Sequence, residues 1–186
     1  MPARARPFPV KPPRTTGVGP TGAKGIDSPP LNLQIPSLDI AAAVMRVGVD
    51  EDGRIGAPPL SVSDKVGWFK MGPRPGAPGA AVMVGHYDNT TGPAVFYRIS
   101  ELTPGRRVFV TRKDGRRLRF VVTKVATYPK DEFPAREVYG DPGHPALRLI
   151  TCAGAFNTTT RHYLDNTVVF AKLITGRRAA GPMDRR

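Results

Sequence analysis

The sequence contains a single cysteine, Cys152, and lacks any apolar run long enough to cross a membrane. One cysteine excludes an intrachain disulfide and therefore a disulfide-stapled fold. A spanning helix needs about 18 or more consecutive apolar residues, and the stretch from Ile40 to Val49 is interrupted by Arg46. The N-terminus also lacks the apolar centre of a secretory signal peptide.

Long helices are not expected either, because the 186 residues include 21 prolines and 20 glycines. These residues favour turns and short strands. The length suits one domain with a sizeable core. Eight of the prolines fall within residues 1–30, which we expect to be a disordered basic leader. A folded domain over 31–176 and a flexible basic tail over 177–186 complete the predicted organisation.

The net charge of +13 is concentrated in the predicted tails. Residues 1–26 hold five basic residues and no acid, and residues 177–186 hold four arginines and one aspartate. A nucleic-acid-binding domain usually carries its positive charge on a folded face or groove. The pattern therefore favours attraction to an anionic surface, such as a membrane or cell wall, over nucleic-acid binding.

Short alternating or apolar runs predict about eight strands. They cover residues 31–35, 41–47, 65–69, 80–84, 107–112, 117–128, 147–151 and 167–174. Asp114-Gly115 between two of these runs is a strong hairpin signal. A short helix is predicted over 93–102, with a helical turn near 135–138. The patterns predict a mainly β protein and leave a barrel and a sandwich open.

Two predicted strand ends carry reactive side chains, His86 after residues 80–84 and Cys152 after residues 147–151. A rigid strand holds such a group still, and the following segment leaves it reachable. A cysteine and a histidine far apart in sequence are typical of a thiol enzyme, in which an imidazolium lowers the pKa of the thiol. Arg161 follows Cys152 by nine residues. A loop of that length could bring its guanidinium over the thiol, to bind the oxyanion of a tetrahedral intermediate.

Several other interpretations stay open on these patterns alone. A free cysteine is more often a small buried hydrophobic residue, and the histidine and arginine have ordinary structural and solvated interpretations. A zinc site built from His86, Asp88 and Cys152 is disfavoured because the close paired spacing of zinc ligands is missing. A nucleic-acid-binding barrel needs aromatic residues on a basic face. The candidates for that face are Phe109, Phe120, Arg107, Arg112, Arg117 and Arg119.

Three segments resemble those that carry the catalytic residues of sortases, which are cysteine transpeptidases. Gly85-His86-Tyr87-Asp88, followed by 94–96, is similar to the segment around the catalytic histidine. Residues 149–152, Leu-Ile-Thr-Cys, are similar to the segment that ends at the catalytic cysteine. Residues 161–171 resemble the arginine-bearing loop and closing strand. The sequence 163–166, Tyr-Leu-Asp-Asn, and the basic leader are most similar to actinobacterial class F sortases.

The resemblance implies a closed β-barrel of about eight strands with one or two short helices. It implies that Cys152 is the nucleophile, His86 the proton partner and Arg161 the charge that stabilises the reacting carbonyl, while Thr151 helps to position the substrate. One departure concerns the arginine, which directly opens the final strand in many sortases. Here Asn166 is nearer that place, and Arg161 lies five residues earlier.

The resemblance also implies the substrates and the location. The expected substrates are Leu-Pro-x-Thr-Gly-like sorting signals of secreted proteins and a peptidoglycan precursor amine. The expected protein is a monomer outside the cytoplasmic membrane, anchored by an apolar segment upstream of Pro2 in the full-length protein. We expect no cofactor, no required metal and no nucleic-acid partner. A calcium-responsive loop containing Asp131, Glu132, Glu137 and Asp141 is an unspecific possibility. A thiol hydrolase that uses water instead of an amine has the same triad and stays open.

Overall fold

Eight strands form a closed barrel in the computed structural model, which describes residues 28–51 and 53–175. Their order around the barrel is β1-β2-β3-β4-β9-β10-β8-β7, and β1 pairs with β7 to close it. The barrel strands are β1 (Pro30–Ile35), β2 (Ile40–Val47), β3 (Val66–Phe69), β4 (Gly79–Val84), β7 (Arg107–Arg112), β8 (Arg117–Pro129), β9 (Pro145–Asn157) and β10 (His162–Leu173). The predicted mainly β, closed-barrel fold is confirmed. Residues 1–27 of the predicted leader and the tail from 176 onwards lie outside the described residues.

The regular elements outside the barrel are short. Strands β5 (Asp88–Asn89) and β6 (Gly92–Pro93) form a separate two-stranded sheet, and α1 (Ala135–Tyr139) lies where the helical turn was predicted. Three-residue 3-10 helices occur at Pro36–Leu38, Leu60–Val62 and Ile99–Glu101. In the part of the chain that the structure describes, no helix has the length and apolar character needed to span a membrane.

The predicted helix over 93–102 is wrong except for Ile99–Glu101. The backbone forms hydrogen bonds between residues three apart instead: Tyr97 N–H donates to Ala94 O at 3.1 Å, and Ile99 N–H donates to Phe96 O at 3.2 Å. An α-helix needs hydrogen bonds between residues four apart, so these contacts form consecutive turns. The apolar side chains of Ile99 and Leu102 are nevertheless buried. The apolar spacing therefore identified core residues without identifying their backbone conformation.

Strands β9 and β10 are longer than predicted and form an antiparallel hairpin. Cys152 lies inside β9, so the loop expected from Cys152 to Arg161 is replaced by strand pairing and a tight turn at 158–161. The pairing shifts register between Tyr163 and Asp165. Gly154 lies opposite this shift with φ +77°, and a Cβ there would lie 2.1 Å from Asp165 Oδ2. Glycine is required at this position because the backbone is left-handed and the side-chain space is occupied.

Alternate residues of the site-bearing strands pack into two apolar layers. Met83 and Leu149 belong to the barrel interior, whereas Val84 and Ile150 belong to a second cluster with Val138 of α1. This division follows from the two-residue period of a β-strand. The second cluster covers the outer face of β4, β9 and β10, so these strands are buried on both sides.

The basic face considered for a nucleic-acid-binding barrel is formed only in part. Phe120 is fully buried in the barrel interior and cannot stack on a base. Arg112 is buried and pairs with Asp114 at 2.5 Å. Arg117 covers the Phe109 ring at 4.0 Å from its centroid. The outer face of the β7–β8 pair therefore keeps one of the two candidate aromatic residues, and an arginine already covers that ring.

The interior packing predicts that alanine substitutions of two methionines differ greatly in their effect on the free energy of unfolding. Met83→Ala should lower the free energy of unfolding by about 2–5 kcal/mol, because it removes a large side chain from a close-packed core. Met83 is 0% exposed, whereas Met71 is 59% exposed. Met71→Ala should therefore change stability by less than about 0.5 kcal/mol. Urea unfolding followed by circular dichroism measures both, and equal losses would contradict the assigned core.

Candidate active site

Parallel pairing of β4 with β9 brings His86 and Cys152 onto neighbouring strands. The register Val84↔Ile150 is extended by a hydrogen bond from Gly85 N–H to Ile150 O at 3.1 Å. Continuing the register by two residues places His86 beside Cys152. His86 lies two residues after Val84, and Cys152 lies two residues after Ile150, both of which belong to the second cluster. The side chains of His86 and Cys152 line one cleft of ≈ 820 Å³. The structure therefore brings together the two residues predicted from separate parts of the sequence.

The His86 ring is held by one backbone carbonyl. His86 Nε2–H donates to Pro58 O at 2.6 Å, and the His86 side chain is buried. A carbonyl oxygen only accepts hydrogen bonds, so Nε2 must carry the proton of this contact. Nδ1 is then the ring nitrogen left to exchange a proton. The backbone beneath the ring is also fixed, because Phe96 N–H donates to His86 O at 3.0 Å.

The Cys152 thiol is half-buried, and a lysine contacts it. Lys130 Nζ donates to Cys152 Sγ at 3.7 Å. Burial raises the pKa of the Cys152 thiol above its ordinary value, the Lys130 ammonium lowers it, and Asp88 raises it further. Sequence analysis missed Lys130, because its position beside the thiol depends on the order of strands β8, β10 and β9. No motif around Lys130 signals this contact.

Arg161 lies at the rim of the same cleft, in the turn of the β9–β10 hairpin. Its φ of +57° is left-handed, and its side chain is exposed. Asn157 Oδ1 organises the turn by accepting hydrogen bonds from the backbone N–H groups of Thr159 and Thr160, at 2.9 and 3.0 Å. Within residues 28–51 and 53–175, the Arg161 guanidinium forms no hydrogen bond or ion pair. It shares the cleft with Cys152 but is not fixed over the sulfur.

Asn166 occupies the position directly opposite Cys152 in the β9–β10 ladder. Its side chain is fully buried, and neither Oδ1 nor Nδ2 has a hydrogen-bond partner among the described residues. Leaving a buried polar group unpaired typically costs about 1–3 kcal/mol. The residues that line the cleft do not include Asn166, although it lies beside the candidate nucleophile. Its unpaired amide, near the place where the arginine was expected, makes Asn166 a candidate for a role at the site.

Aromatic side chains form one wall of the cleft. The Tyr163 hydroxyl donates to Asp88 Oδ2 at 2.5 Å, and its ring contacts Tyr87 and Phe156 edge-on, with centroids 5.3 and 5.2 Å apart. Burial, together with this hydrogen bond, raises the pKa of the Tyr163 hydroxyl. Tyr97 does not line the cleft but packs against Tyr87, at a centroid distance of 4.6 Å. The wall therefore consists of Tyr87, Tyr163 and Phe156.

The acidic loop considered for calcium does not gather its carboxylates. Glu137 binds Lys124 at 2.7 Å, and Asp141 Oδ1 accepts a hydrogen bond from Gly143 N–H at 2.8 Å. Among residues 28–51 and 53–175, no three His, Cys, Asp or Glu side chains cluster in a way that could hold a metal ion. The calcium and zinc interpretations therefore gain no support from the described geometry.

Thr151 connects the two strands that carry the candidate catalytic pair. Its buried hydroxyl donates to Gly85 O at 2.8 Å. Thr151 was predicted to position substrate. The structure buries it, at 2% exposed and outside the residues that line the cleft, and gives it a hydrogen bond to the segment that carries His86.

Thr151→Val should lower the free energy of unfolding by about 1–2 kcal/mol, because it retains the side-chain shape but removes the hydrogen bond to Gly85 O. Thr159→Val is a matched control at an exposed turn position and should change stability by less than about 0.5 kcal/mol. Urea denaturation of both variants checks the difference. If Thr151→Val were as stable as the wild type, the connection between the strands would be energetically unimportant.

Comparison with solved structures identifies similar folds. Sortase C-1 from Actinomyces oris matches with a TM-score of 0.62 and 19% identity, covering 78% of this chain and 73% of that chain. Sortase C1 from Streptococcus agalactiae matches with a TM-score of 0.61 and 17% identity, covering 80% and 68%. Sortase A from Corynebacterium diphtheriae matches with a TM-score of 0.62 and 16% identity, covering 84% and 66%. Identities this low establish the fold alone.

Comparison with curated protein sequences found no match. The sequence model of the sortase domain, in contrast, matches residues 33–174, which include every residue of the cleft discussed above. The match spans well over half of the chain and agrees with the barrel, the strand order and the neighbouring cysteine and histidine. On these grounds, the chain belongs to the sortase family.

Proposed function

We propose that this protein is a cysteine transpeptidase that cleaves a Leu-Pro-x-Thr-Gly-like signal between Thr and Gly and transfers the threonyl group to a cell-wall amine. The observation that carries the proposal is the adjacent placement of His86 and Cys152 at one end of the β4–β9 pair, within a cleft. Membership of the sortase family supports the reaction class.

The first half of the reaction forms an acyl-enzyme. The Cys152 thiolate attacks the threonyl carbonyl carbon, forming a C–S bond and a tetrahedral oxyanion. The C–N bond then breaks, and the His86 imidazolium donates its proton to the departing glycyl amine. Nδ1 suits this transfer because Nε2–H is engaged with Pro58 O. A thioester between Cys152 and the threonyl group remains.

The second half regenerates the enzyme. An acceptor amine attacks the thioester carbonyl, and neutral His86 takes up the proton that the amine releases. The C–S bond breaks, a new amide bond forms, and the Cys152 thiolate and His86 imidazolium are restored. Protons and charges balance between the two halves without a metal or cofactor.

The remaining cleft residues are assigned to binding. Arg161 contacts the carbonyl of the bound substrate from the cleft rim, where a planar guanidinium can donate two hydrogen bonds at once. The wall formed by Tyr87, Tyr163 and Phe156 offers an apolar surface to the Leu-Pro portion of an extended signal. Its position beside Cys152 in one cleft supports this orientation.

The location and subclass are part of the same proposal. Sortases act outside the cytoplasmic membrane, and the basic residues 1–26 favour an anionic surface. We place the enzyme there as a monomer anchored to the cell membrane. Residues 163–166, Tyr-Leu-Asp-Asn, support assignment to the actinobacterial class F sortases.

Incubation with a Leu-Pro-x-Thr-Gly peptide should produce an intact-protein mass increased by the acyl fragment, because Cys152 forms a thioester. Added triglycine should convert that species into a ligated peptide. Cys152→Ala should form no adduct, and His86→Ala should react about 100- to 10,000-fold more slowly, because the leaving amine loses its acid. Mass spectrometry follows both steps. Hydrolysed peptide as the sole product at saturating amine would favour the thiol-hydrolase alternative.

Arginine variants test the assignment of the oxyanion donor. Arg161→Lys should fold normally and lose about 100- to 1,000-fold in turnover, because lysine keeps the charge but lacks the planar fork. Arg136→Ala is a control at an exposed position on α1 and should retain wild-type rates. Single-turnover acylation measures each rate. A mild effect of Arg161→Ala, with a severe effect of Asn166→Ala, would transfer the donor role to Asn166.

A further inference from the structure

The backbone of Lys130 is fixed close to the nucleophile although it belongs to a different part of the sequence. Lys130 directly follows β8, whose last residue, Pro129, pairs with Asp165 of β10. Lys130 N–H donates to Leu164 O at 2.9 Å. Because β10 lies between β8 and β9, this hydrogen bond places the lysine one strand away from Cys152. The Lys130 side chain therefore extends from a backbone that this hydrogen bond fixes, although the residue lies beyond the end of β8.

The Lys130 ammonium group has the thiol as its partner. Nζ lies 3.7 Å from Cys152 Sγ, within hydrogen-bond distance for sulfur. In the part of the chain that the structure describes, this ammonium forms no other hydrogen bond and no salt bridge. The neighbouring acids Asp131 and Glu132 are exposed. Lys130 itself is half-buried, so salt and water screen its charge less than they screen a surface charge.

Three influences shift the pKa of the Cys152 thiol. Burial raises it, Lys130 lowers it and Asp88 raises it. Lys130 is the described cation in contact with Sγ, and its charge offsets burial. The titratable and charged groups that line the cleft, or pack against the same apolar cluster as Cys152, are Asp64, His86, Tyr87, Asp88, Tyr128, Lys130, Tyr139, Arg161, His162 and Tyr163.

From this geometry we infer that Lys130 is a further catalytic residue, the cation that stabilises the Cys152 thiolate for attack. Its contribution to turnover rests on the proposed function, whereas its effect on the thiol does not. The two cations of the cleft then act on different groups. Lys130 acts on the nucleophile, and Arg161 at the rim acts on the carbonyl of the substrate.

The pH dependence of alkylation tests this inference directly, because the chain has one cysteine. Iodoacetamide reacts with the thiolate, forming a C–S bond and releasing iodide, so its rate reports ionisation of Cys152. Lys130→Met should raise the apparent pKa of the thiol by about one pH unit or more, since an adjacent opposite charge typically shifts a pKa by about one to three. Alkylation at pH 7 should fall about 10-fold or more. Lys130→Arg should restore most of the rate.

Matched variants separate this effect from general changes in charge. Lys172→Met removes an exposed lysine near the far end of β10 and should leave the alkylation profile unchanged. Lys130→Gln provides a second neutral replacement, in case thermal melting shows that Lys130→Met is unfolded. An alkylation profile that is unchanged in a folded Lys130→Met or Lys130→Gln variant would overturn the inference.

Peptide acylation on the same proteins distinguishes this inference from the proposed function. If Lys130 stabilises the reacting thiolate, kcat/KM for acylation at pH 7 should fall about 10-fold or more in Lys130→Met and recover in Lys130→Arg. A shifted alkylation profile with no acylation of the wild type would leave the effect on the thiol intact and reject the proposed substrate. Normal wild-type acylation with an unshifted Lys130→Met profile would reject the role of Lys130 alone.

Discussion

The parallel pairing of β4 with β9 is the constraint on which the rest of the site depends. Two residues separated by 66 positions line one cleft because Val84 pairs with Ile150, two residues before each of them. The hydrogen bonds of Gly85 with Ile150 and Thr151 extend this pairing to the candidate catalytic residues. The pair is buried on both faces, by the barrel interior and by the outer cluster. The cleft therefore derives its rigidity from the same apolar packing that closes the barrel.

Burial of the strands also creates the electrostatic problem of the site. A thiol set against the outer apolar cluster ionises less readily, because a low-dielectric environment disfavours the thiolate. In the proposed mechanism the attacking species is nevertheless the thiolate. Lys130 follows β8 and places a compensating charge on the side of Cys152 occupied by β10. His86 follows β4, on the opposite side of β9, so Cys152 lies between two groups to which the proposals assign different steps.

Sequence patterns predicted the parts of the structure that depend on local chemistry. Apolar runs located the barrel strands, and Asp114-Gly115 located the β7–β8 hairpin. The extension of β9 beyond Cys152 was missed because residues 153–157 lack apolar alternation and are paired mainly through the backbone. The Lys130 contact was missed because it depends on strand order. His86 and Cys152 were recognisable from strand ends, but their adjacency required the tertiary pairing.

The hairpin that carries Arg161 differs physically from the segments that hold the other cleft residues. His86 and Lys130 are each tied by backbone hydrogen bonds to other segments, at Phe96 and Leu164 respectively. Arg161 instead lies in a turn that is stabilised locally by Asn157. A turn of this kind can adjust its side chain to a bound peptide without disturbing the barrel, because few long-range contacts must break. In the proposed mechanism, the groups that act on the thiol are therefore preorganised, whereas the Arg161 guanidinium takes its final position when the substrate binds.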